Sequence, residues 1–207
     1  IGYGANSATS ESYAFGSSAW ANSWRSLALG SNTKTDGANS VAIGNFASTG
    51  VLAANSIAIG YYATTTANEA FAIGSKAHAS GDNSVALGFN SVSSSSRTIA
   101  LGSGTNASNT GATALGFGAT SSGLYSTAIG YNATTSQNYA IVLGEASSSS
   151  TNVGVGTSSP NAKLHIVSST ASNGFQLQDG NQSLGKVLTS DANGNVFTKD
   201  ISTLSQW

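Results

Sequence analysis

The chain has 207 residues, only 7% of them charged, and its seven Lys and Arg against eight Asp and Glu leave a net charge of −1. This balance excludes the electrostatic footprint of a protein that binds nucleic acid or an anionic membrane surface. The lack of cysteine excludes disulfides and thiolate metal sites. No apolar run approaches the roughly 20 residues that span a bilayer.

Residues 1–146 are organised by a glycine that returns at a fixed spacing. Nine of the ten intervals between these glycines are 14 residues, and the interval from Gly44 to Gly60 is 16. The eleven glycines are Gly2, Gly16, Gly30, Gly44, Gly60, Gly74, Gly88, Gly102, Gly116, Gly130 and Gly144. Such a short, regular period predicts a solenoid in which each repeat adds one coil.

Each repeat is expected to contain two short strands. The residues one and three before the glycine are mostly large and apolar, as in Val41 and Ile43, and the residue between them is Ala in all but the last strand. Because alternate residues share a face, we expect this strand to be buried on both faces. Three and five residues after the glycine only small side chains occur, which predicts a second strand closing over the first. The residue between them, such as Trp20 or Lys34, is expected to face solvent.

A coil of 14 residues has too little interior to bury both faces of its first strand. One face fills the coil, and the other needs a partner along the whole rod, which at about 4.8 Å per coil is about 50 Å long. We therefore expect a closed symmetric oligomer. Asn39, Asn55 and Asn83 occupy equivalent positions and are expected either to form a side-chain ladder or to act simply as turn formers.

The phrase Asn-Ser-Val-Ala-Ile-Gly at 39–44, with its 14-residue period and its small residue three positions later, resembles the YadA-like head repeat of trimeric adhesins. The resemblance covers about residues 1–150. It implies an all-β fold in which a left-handed parallel β-roll of 14-residue coils forms a homotrimer around a threefold axis. The residues by themselves predict an oligomer but not the number of chains in it.

Beyond residue 146 the pattern changes. Residues 147–151 are a Ser-rich linker, and 152–207 are predicted to form a small trimeric module of β-hairpins. Pro160 is expected to precede a strand, Asp179-Gly180 and Asn193-Gly194 are predicted tight turns, and 186–189 and 195–199 are predicted strands. The segments 152–166 and 185–195 resemble parts of phage tail fibres and large secreted surface proteins.

No catalytic, cofactor or metal site is predicted. His78 and His165 lie in different modules, neither has an acidic or His partner at ligand spacing, and no pair of carboxylates recurs as a polysaccharide-cleaving tailspike would need. Ice binding needs threonine at one outward position in successive coils, whereas Trp20, Lys34 and His78 share that position.

We expect aromatic residues to contact a binding partner instead, because aromatic side chains supply binding hot spots. The aromatic residues one or two positions after the repeat glycines form an interrupted apolar stripe along the rod if they lie on one corner. Alternatively, they fill the seam between chains. Near the start of the chain, two tryptophans beside a cation either hold a ligand or pack at the end of the roll. The insertion around Val51-Leu52 is expected to bulge a corner, and corner insertions in solenoids often carry binding sites. The candidate contact residues are Trp20, Trp24, Arg25, Tyr61, Tyr62, Phe89, Phe117 and Tyr131.

These features together predict an extracellular fibre or adhesin shaft that attaches to a glycan or protein receptor on a target cell. The final segment favours a phage or virus-like tail fibre, and the alternative is the head region of a bacterial trimeric autotransporter-type surface adhesin. Because Ile1-Gly2 opens in the middle of a repeat, we expect a piece of a longer protein.

Overall fold

The computed structural model describes residues 1–145, 151–168, 186–190 and 196–200. The chain divides into two compact units, Ile1–Thr151 and Asn152–Trp207. Most of the predicted linker and the predicted turns at Asp179-Gly180 and Asn193-Gly194 lie outside the described residues. Within the described part of the chain, no helix is long and apolar enough to cross a membrane.

The first unit is a parallel β-solenoid made of two ten-stranded sheets, and each coil contributes one strand to each sheet. The narrower sheet holds two-residue strands: β1 (Asn6–Ser7), β3 (Trp20–Ala21), β5 (Lys34–Thr35), β7 (Ser48–Thr49), β9 (Thr64–Thr65), β11 (His78–Ala79), β13 (Val92–Ser93), β15 (Asn106–Ala107), β17 (Thr120–Ser121) and β19 (Thr134–Thr135). The wider sheet holds three-residue strands: β2 (Tyr13–Phe15), β4 (Leu27–Leu29), β6 (Val41–Ile43), β8 (Ile57–Ile59), β10 (Phe71–Ile73), β12 (Val85–Leu87), β14 (Ile99–Leu101), β16 (Thr113–Leu115), β18 (Thr127–Ile129) and β20 (Ile141–Leu143). The predicted β-roll of 14-residue coils is confirmed.

The interior of the solenoid contains almost only small side chains. The alanines in the middle of the wider strands, such as Ala72, Ala86 and Ala100, are completely buried, and so are the small residues of the narrower sheet that point toward them. In the single chain one face of the wider strands is buried, and burial of the other face by a partner chain stays a prediction. Only the alanine face is buried, because an interior this narrow has no room for larger residues, and the large apolar face lies at the surface.

Two corners connect the sheets, and both use backbone conformations with positive φ. From Gly2 to Gly130, the repeat glycines have φ between 117° and 138°, a region that other residues rarely enter. Both expectations for the asparagines hold in part. Asn39 and Asn55 are left-handed turn residues, and Asn39 Nδ2 donates a hydrogen bond to Asn55 Oδ1 at 3.2 Å. Glu69 occupies the next equivalent position and separates this pair from Asn83.

The two-residue insertion is confined to one corner. On both sides of it the sheets continue in register, since Val41 pairs with Ile57 and Ser48 pairs with Thr64. The bulge is closed by a hydrogen bond from Ala53 N to Gly50 O at 3.0 Å. Ala53 is completely buried, whereas Val51 and Leu52 are 76% and 70% exposed.

In the second unit, β21 (Val153–Val155) pairs in parallel with β22 (Leu164–Ile166), and β23 (Lys186–Ser190) pairs antiparallel with β24 (Val196–Asp200). The last two strands match the two predicted at 186–189 and 195–199. Pro160 precedes β22 as expected, and its carbonyl accepts a hydrogen bond from Asn152 Nδ2 at 3.0 Å, within the connection that turns the chain back for a parallel pairing.

Candidate functional site

The corner that follows each repeat glycine places aromatic side chains of neighbouring coils directly above one another. Phe46 and Tyr62 stack with ring centroids 4.7 Å apart and planes 8° from parallel, a separation close to the usual distance between paired strands. Tyr61 meets Tyr62 edge-on at 4.6 Å. Phe46 and Tyr62 also adopt positive φ, as do Ser18, Asn32 and Lys76 at the equivalent positions, so this conformation belongs to the corner of every coil.

A second stack lies further along the same corner. Phe117 and Tyr131 have centroids 5.7 Å apart and nearly parallel planes, and both side chains are about 60% exposed. Phe89 lies between the two stacks with Ser75 and Ser103 at the equivalent positions on either side of it. The predicted stripe is thus two stacked clusters and one separate phenylalanine, which gives two platforms for contact rather than one continuous row.

The three residues predicted near the start do not form one group. The Arg25 guanidinium lies over the Trp24 ring, with Cζ 3.9 Å from the centroid, and Arg25 Nε donates to Glu11 Oε2 at 2.6 Å. Trp20 instead lines a separate recess of about 350 Å³ together with Ser18, Asn32, Thr33 and Lys34. The predicted pair of tryptophans beside one cation is therefore replaced by two tryptophans, each near a different cation.

The search for aromatic residues after the glycines missed a stack on the opposite corner. Tyr125 and Tyr139, five residues before their glycines, stack at 5.7 Å and are well exposed. Gly111 occupies the equivalent position in the preceding coil, and a Cβ added there would meet the Tyr125 ring. The signal in the sequence is the 14-residue spacing of the two tyrosines.

The insertion borders a groove of about 490 Å³ that extends across successive coils. Leu52 lines one part of it, and Asn68, Asp82, Ser96 and Thr110 repeat at the same position of consecutive coils. Some of these polar atoms already stabilise the corner: Asn68 Oδ1 accepts from Ala54 N at 3.2 Å, and Asp82 Oδ1 accepts from Asn68 N at 3.1 Å. The groove is consequently shallow and polar, with one apolar wall.

The two histidines have structural partners. His78 Nδ1 shares a hydrogen bond with Thr64 Oγ1 at 2.6 Å on the outer side of the narrower sheet, and partial burial lowers the pKa of the His78 imidazole. His165 Nδ1 accepts from Asn161 N at 3.3 Å. Among the residues that the structure describes, no three His, Asp or Glu side chains are grouped closely enough to hold a metal ion.

The repeats of this chain match a known family. The YadA head domain repeat matches the chain at residues 25–47, 53–77, 66–91, 93–119 and 121–147, together more than half of its length. Among solved structures, the collagen-binding domain of the Yersinia adhesin YadA is similar, with 22% identity, a TM-score of 0.47, and coverage of 69% of this chain and 80% of that one. No curated protein matches the sequence significantly.

The matched ranges run from Arg25 to residue 147, omit residues 48–52, 92 and 120, and end before the segment that resembles tail fibres. The predicted likeness to the adhesin head repeat is therefore confirmed, and the likeness of residues 152–207 to tail fibres stays a prediction. From Arg25 onward, the repeat glycines, the buried alanines and the outward large residues lie within the matched ranges, whereas Gly2 and Gly16 precede them. The chain belongs to the YadA head domain repeat family.

Proposed function

We propose that this chain is the head region of a bacterial surface adhesin, acting outside the cell by attaching to a surface receptor. The observation that carries the proposal is the match of the head repeat over more than half of the chain. Its physical support is a rigid scaffold with exposed aromatic stacks, since aromatic side chains dominate the binding energy of protein interfaces. The proposed activity is contact, and it needs no catalytic group.

A phage or virus-like tail fibre is the second candidate. The observation in its favour is the resemblance of residues 152–207 to tail-fibre segments, whereas the matched head repeats end at residue 147. The two candidates differ in the target: an adhesin head contacts host cells or matrix proteins, and a tail fibre contacts bacterial surface glycans.

We further propose that the chain works as a homotrimer held together by the wider sheet. The outer face of this sheet carries a large apolar residue before every repeat glycine from Phe15 to Leu143, and Ile73 and Leu87 are each 38% exposed in the single chain. A contiguous apolar face of this kind is characteristic of a protein interface. Association through it leaves the narrower sheet and the aromatic corners free to be tested for receptor contact.

The aromatic stack of Phe117 and Tyr131 is the part of the proposed contact surface that is simplest to remove. Serine occupies the equivalent position in other coils, at Ser31, Ser75 and Ser103, so the double change Phe117→Ser and Tyr131→Ser preserves the corner. The matched control is Tyr125→Asn with Tyr139→Asn, which removes the stack on the opposite corner and uses the residue found there at Asn39 and Asn83.

The experiment couples the full chain to fluorescent beads and counts beads bound to cultured mammalian cells, to wells coated with collagen or other matrix proteins, and to bacterial cells. The proposal expects binding to mammalian cells or matrix, reduced several-fold by the change at Phe117 and Tyr131 and little affected by the control. Binding to bacterial cells alone establishes the tail fibre. Beads that bind no target overturn both candidates.

A further inference from the structure

The recess beside Trp20 is built from two adjacent coils of the narrower sheet. Trp20 and Lys34 are paired neighbours in that sheet, and Ser18 and Asn32 occupy the corner beside them. Thr33 is completely buried beneath the recess. With a volume of about 350 Å³, this Trp20 recess falls within the range of about 300–1,000 Å³ typical of small-ligand sites.

The fold itself does not require tryptophan at this position. The equivalent position accepts residues as different as Ser48, His78 and Thr120, and the backbone there pairs in the same register. Trp20 is 46% exposed, so the chain leaves a large indole face in contact with water where threonine would suffice. A single exposed apolar residue is ordinary, but an exposed indole that forms the wall of a recess of this size is a candidate for contact with a ligand.

The groups around the indole suit a sugar ring. An indole face offers flat apolar area to the C–H face of a pyranose. Ser18, Asn32 and Lys34 line the recess, and their side chains carry a hydroxyl, an amide and an ammonium group. Asn32 Nδ2 donates one hydrogen bond to Ser31 Oγ at 3.1 Å, which leaves its second N–H for a ligand. A pyranose presents one apolar face and a rim of hydroxyl groups, which matches one indole wall with donors and acceptors at its border.

The charge of the recess selects between sugars. Lys34 Nζ is 2.7 Å from Asp36 Oδ2, and Asp36 Oδ1 accepts a second hydrogen bond from Asn22 Nδ2 at 2.7 Å. The Asp36 side chain is only 15% exposed, whereas the Lys34 side chain is 53% exposed and keeps contact with solvent while it is paired. An acidic sugar would have to compete with Asp36 for the ammonium, whereas a neutral sugar needs only one of its three N–H donors.

We propose that the Trp20 recess binds a neutral pyranose unit of a surface glycan, stacked on Trp20 and hydrogen-bonded by Asn32 and Lys34. This inference rests on the proposed function for its setting, because it names a ligand class for an adhesin head. The site itself is measurable with free sugars and does not need attachment to any cell.

The test titrates the full chain with the methyl glycosides of mannose, galactose and N-acetylglucosamine, and with methyl glucuronide as the acidic probe. Saturation-transfer NMR and tryptophan fluorescence report binding. Trp20→Thr and Asn32→Gly are the test variants, because Thr and Gly occupy the equivalent positions at Thr64 and Gly104. Trp24→Ala is the matched control: it removes an exposed indole outside the recess and copies Ala38 and Ala54.

The inference expects millimolar or tighter binding of at least one neutral glycoside, at least tenfold weaker in Trp20→Thr, several-fold weaker in Asn32→Gly and unchanged in Trp24→Ala. Raising the salt from 50 to 500 mM should change the affinity by less than about twofold, because no ion pair forms with a neutral sugar. It is overturned if no neutral glycoside binds, if Trp20→Thr binds as tightly as the parent, or if methyl glucuronide binds best and salt abolishes that binding. Bead attachment measured in parallel separates the two proposals: attachment without sugar binding removes only this inference, and sugar binding without attachment removes only the adhesin function.

Discussion

At the scale of single residues, each coil depends on a left-handed backbone at two corner positions that side chains usually avoid. Residues as different as Arg25, Phe46 and Glu69 have φ between 53° and 58° at these corners. Such a conformation costs roughly 1–2 kcal/mol for residues other than glycine. The coil offsets it with backbone hydrogen bonds to the preceding coil, such as Phe46 N to Ser31 O at 3.1 Å. Stacking between coils, rather than the identity of the corner residue, therefore stabilises these turns.

The repeat glycines tolerate a side chain less well than the other corner positions, and Gly102 shows why. Its φ is +134°, and an added Cβ would lie 2.7 Å from the carbonyl oxygen of Gly116 in the next coil. We expect Gly102→Ala to lower the free energy of unfolding by about 2–4 kcal/mol, because both backbone strain and a rigid clash are introduced. Urea denaturation followed by circular dichroism measures the change.

Gly104, two residues further on, supplies the control. Its φ is +68° with no atom within 4 Å of an added Cβ, and asparagine occupies the equivalent position at Asn32 and Asn90. Gly104→Asn should leave the free energy of unfolding within about 0.5 kcal/mol of the parent. Equal losses in the two variants would show that the clash with the next coil is not what excludes a side chain at Gly102.

His78 makes the stability of the solenoid depend on pH. Burial lowers the pKa of the imidazole from its ordinary value of 6.5, so the unfolded chain binds the proton more readily than the folded one. The contribution of the neutral His78 imidazole to the free energy of unfolding is complete above pH 6.5. It is lost as the pH falls through 6.5 toward the lower pKa of the folded state. We expect a lower urea midpoint at pH 5.5 than at pH 7.5, in a window above the ordinary pKa of Asp and Glu side chains. In His78→Thr, which copies Thr64 and Thr120, the difference in urea midpoint between the two pH values should be smaller. If that difference were unchanged, other titrating groups would be its cause.

At the scale of the elements, the strands and corners could be predicted because the 14-residue period repeats every constraint ten times. A small residue three positions after each glycine predicts a buried side chain, and Ala47, Ala63 and Ala77 are buried. The period assigns each residue to a face, but it does not specify the direction that a long exposed side chain takes. Trp24, at a corner, meets Arg25, while Trp20, in β3, pairs with Lys34 of the next strand and lines a recess with it. The insertion around Val51-Leu52 could be predicted to bulge a corner, but the lining of the groove beside Leu52 could not, since the shape of a bulge follows from its own hydrogen bonds.

The row of alanines in the wider sheet sets the width of the coil. Ala86 is completely buried and pairs with Ala72 and Ala100 in the neighbouring strands. Ala86→Val raises strand propensity, so a loss of stability would report the added volume; we expect it to lower the free energy of unfolding by about 1–3 kcal/mol through overpacking. Thr120→Val is the control, since it changes the outward position that already holds Val92 in another coil. If Ala86→Val were as stable as this control, the interior would be looser than its complete burial indicates.

At the scale of the whole molecule, the distribution of side-chain size is inverted relative to an ordinary domain. The smallest residues fill the interior, and the large apolar residues of the wider sheet are on the surface. Hydrophobic burial inside one chain is consequently modest, and most of the apolar area that could stabilise the fold is available only to a partner. Folding and assembly should therefore be coupled, so that the stability of the solenoid depends on chain concentration.

The assembly can be tested at the two outward positions of the wider sheet, one and three residues before each repeat glycine; the equivalent residues of successive coils form two columns. Sedimentation velocity of the full chain should give three times the chain mass of 20.5 kDa. Leu87→Asp with Leu101→Asp places unpaired carboxylates in the column that is apolar in every coil, and we expect this variant to sediment as a monomer because buried unpaired charge is strongly unfavourable. Val85→Thr, in the column where Thr113 and Thr127 already occur, should stay trimeric. A parent chain that sediments at the mass of one copy would contradict the trimer, and an unchanged mass in the double aspartate variant would place the interface on another face.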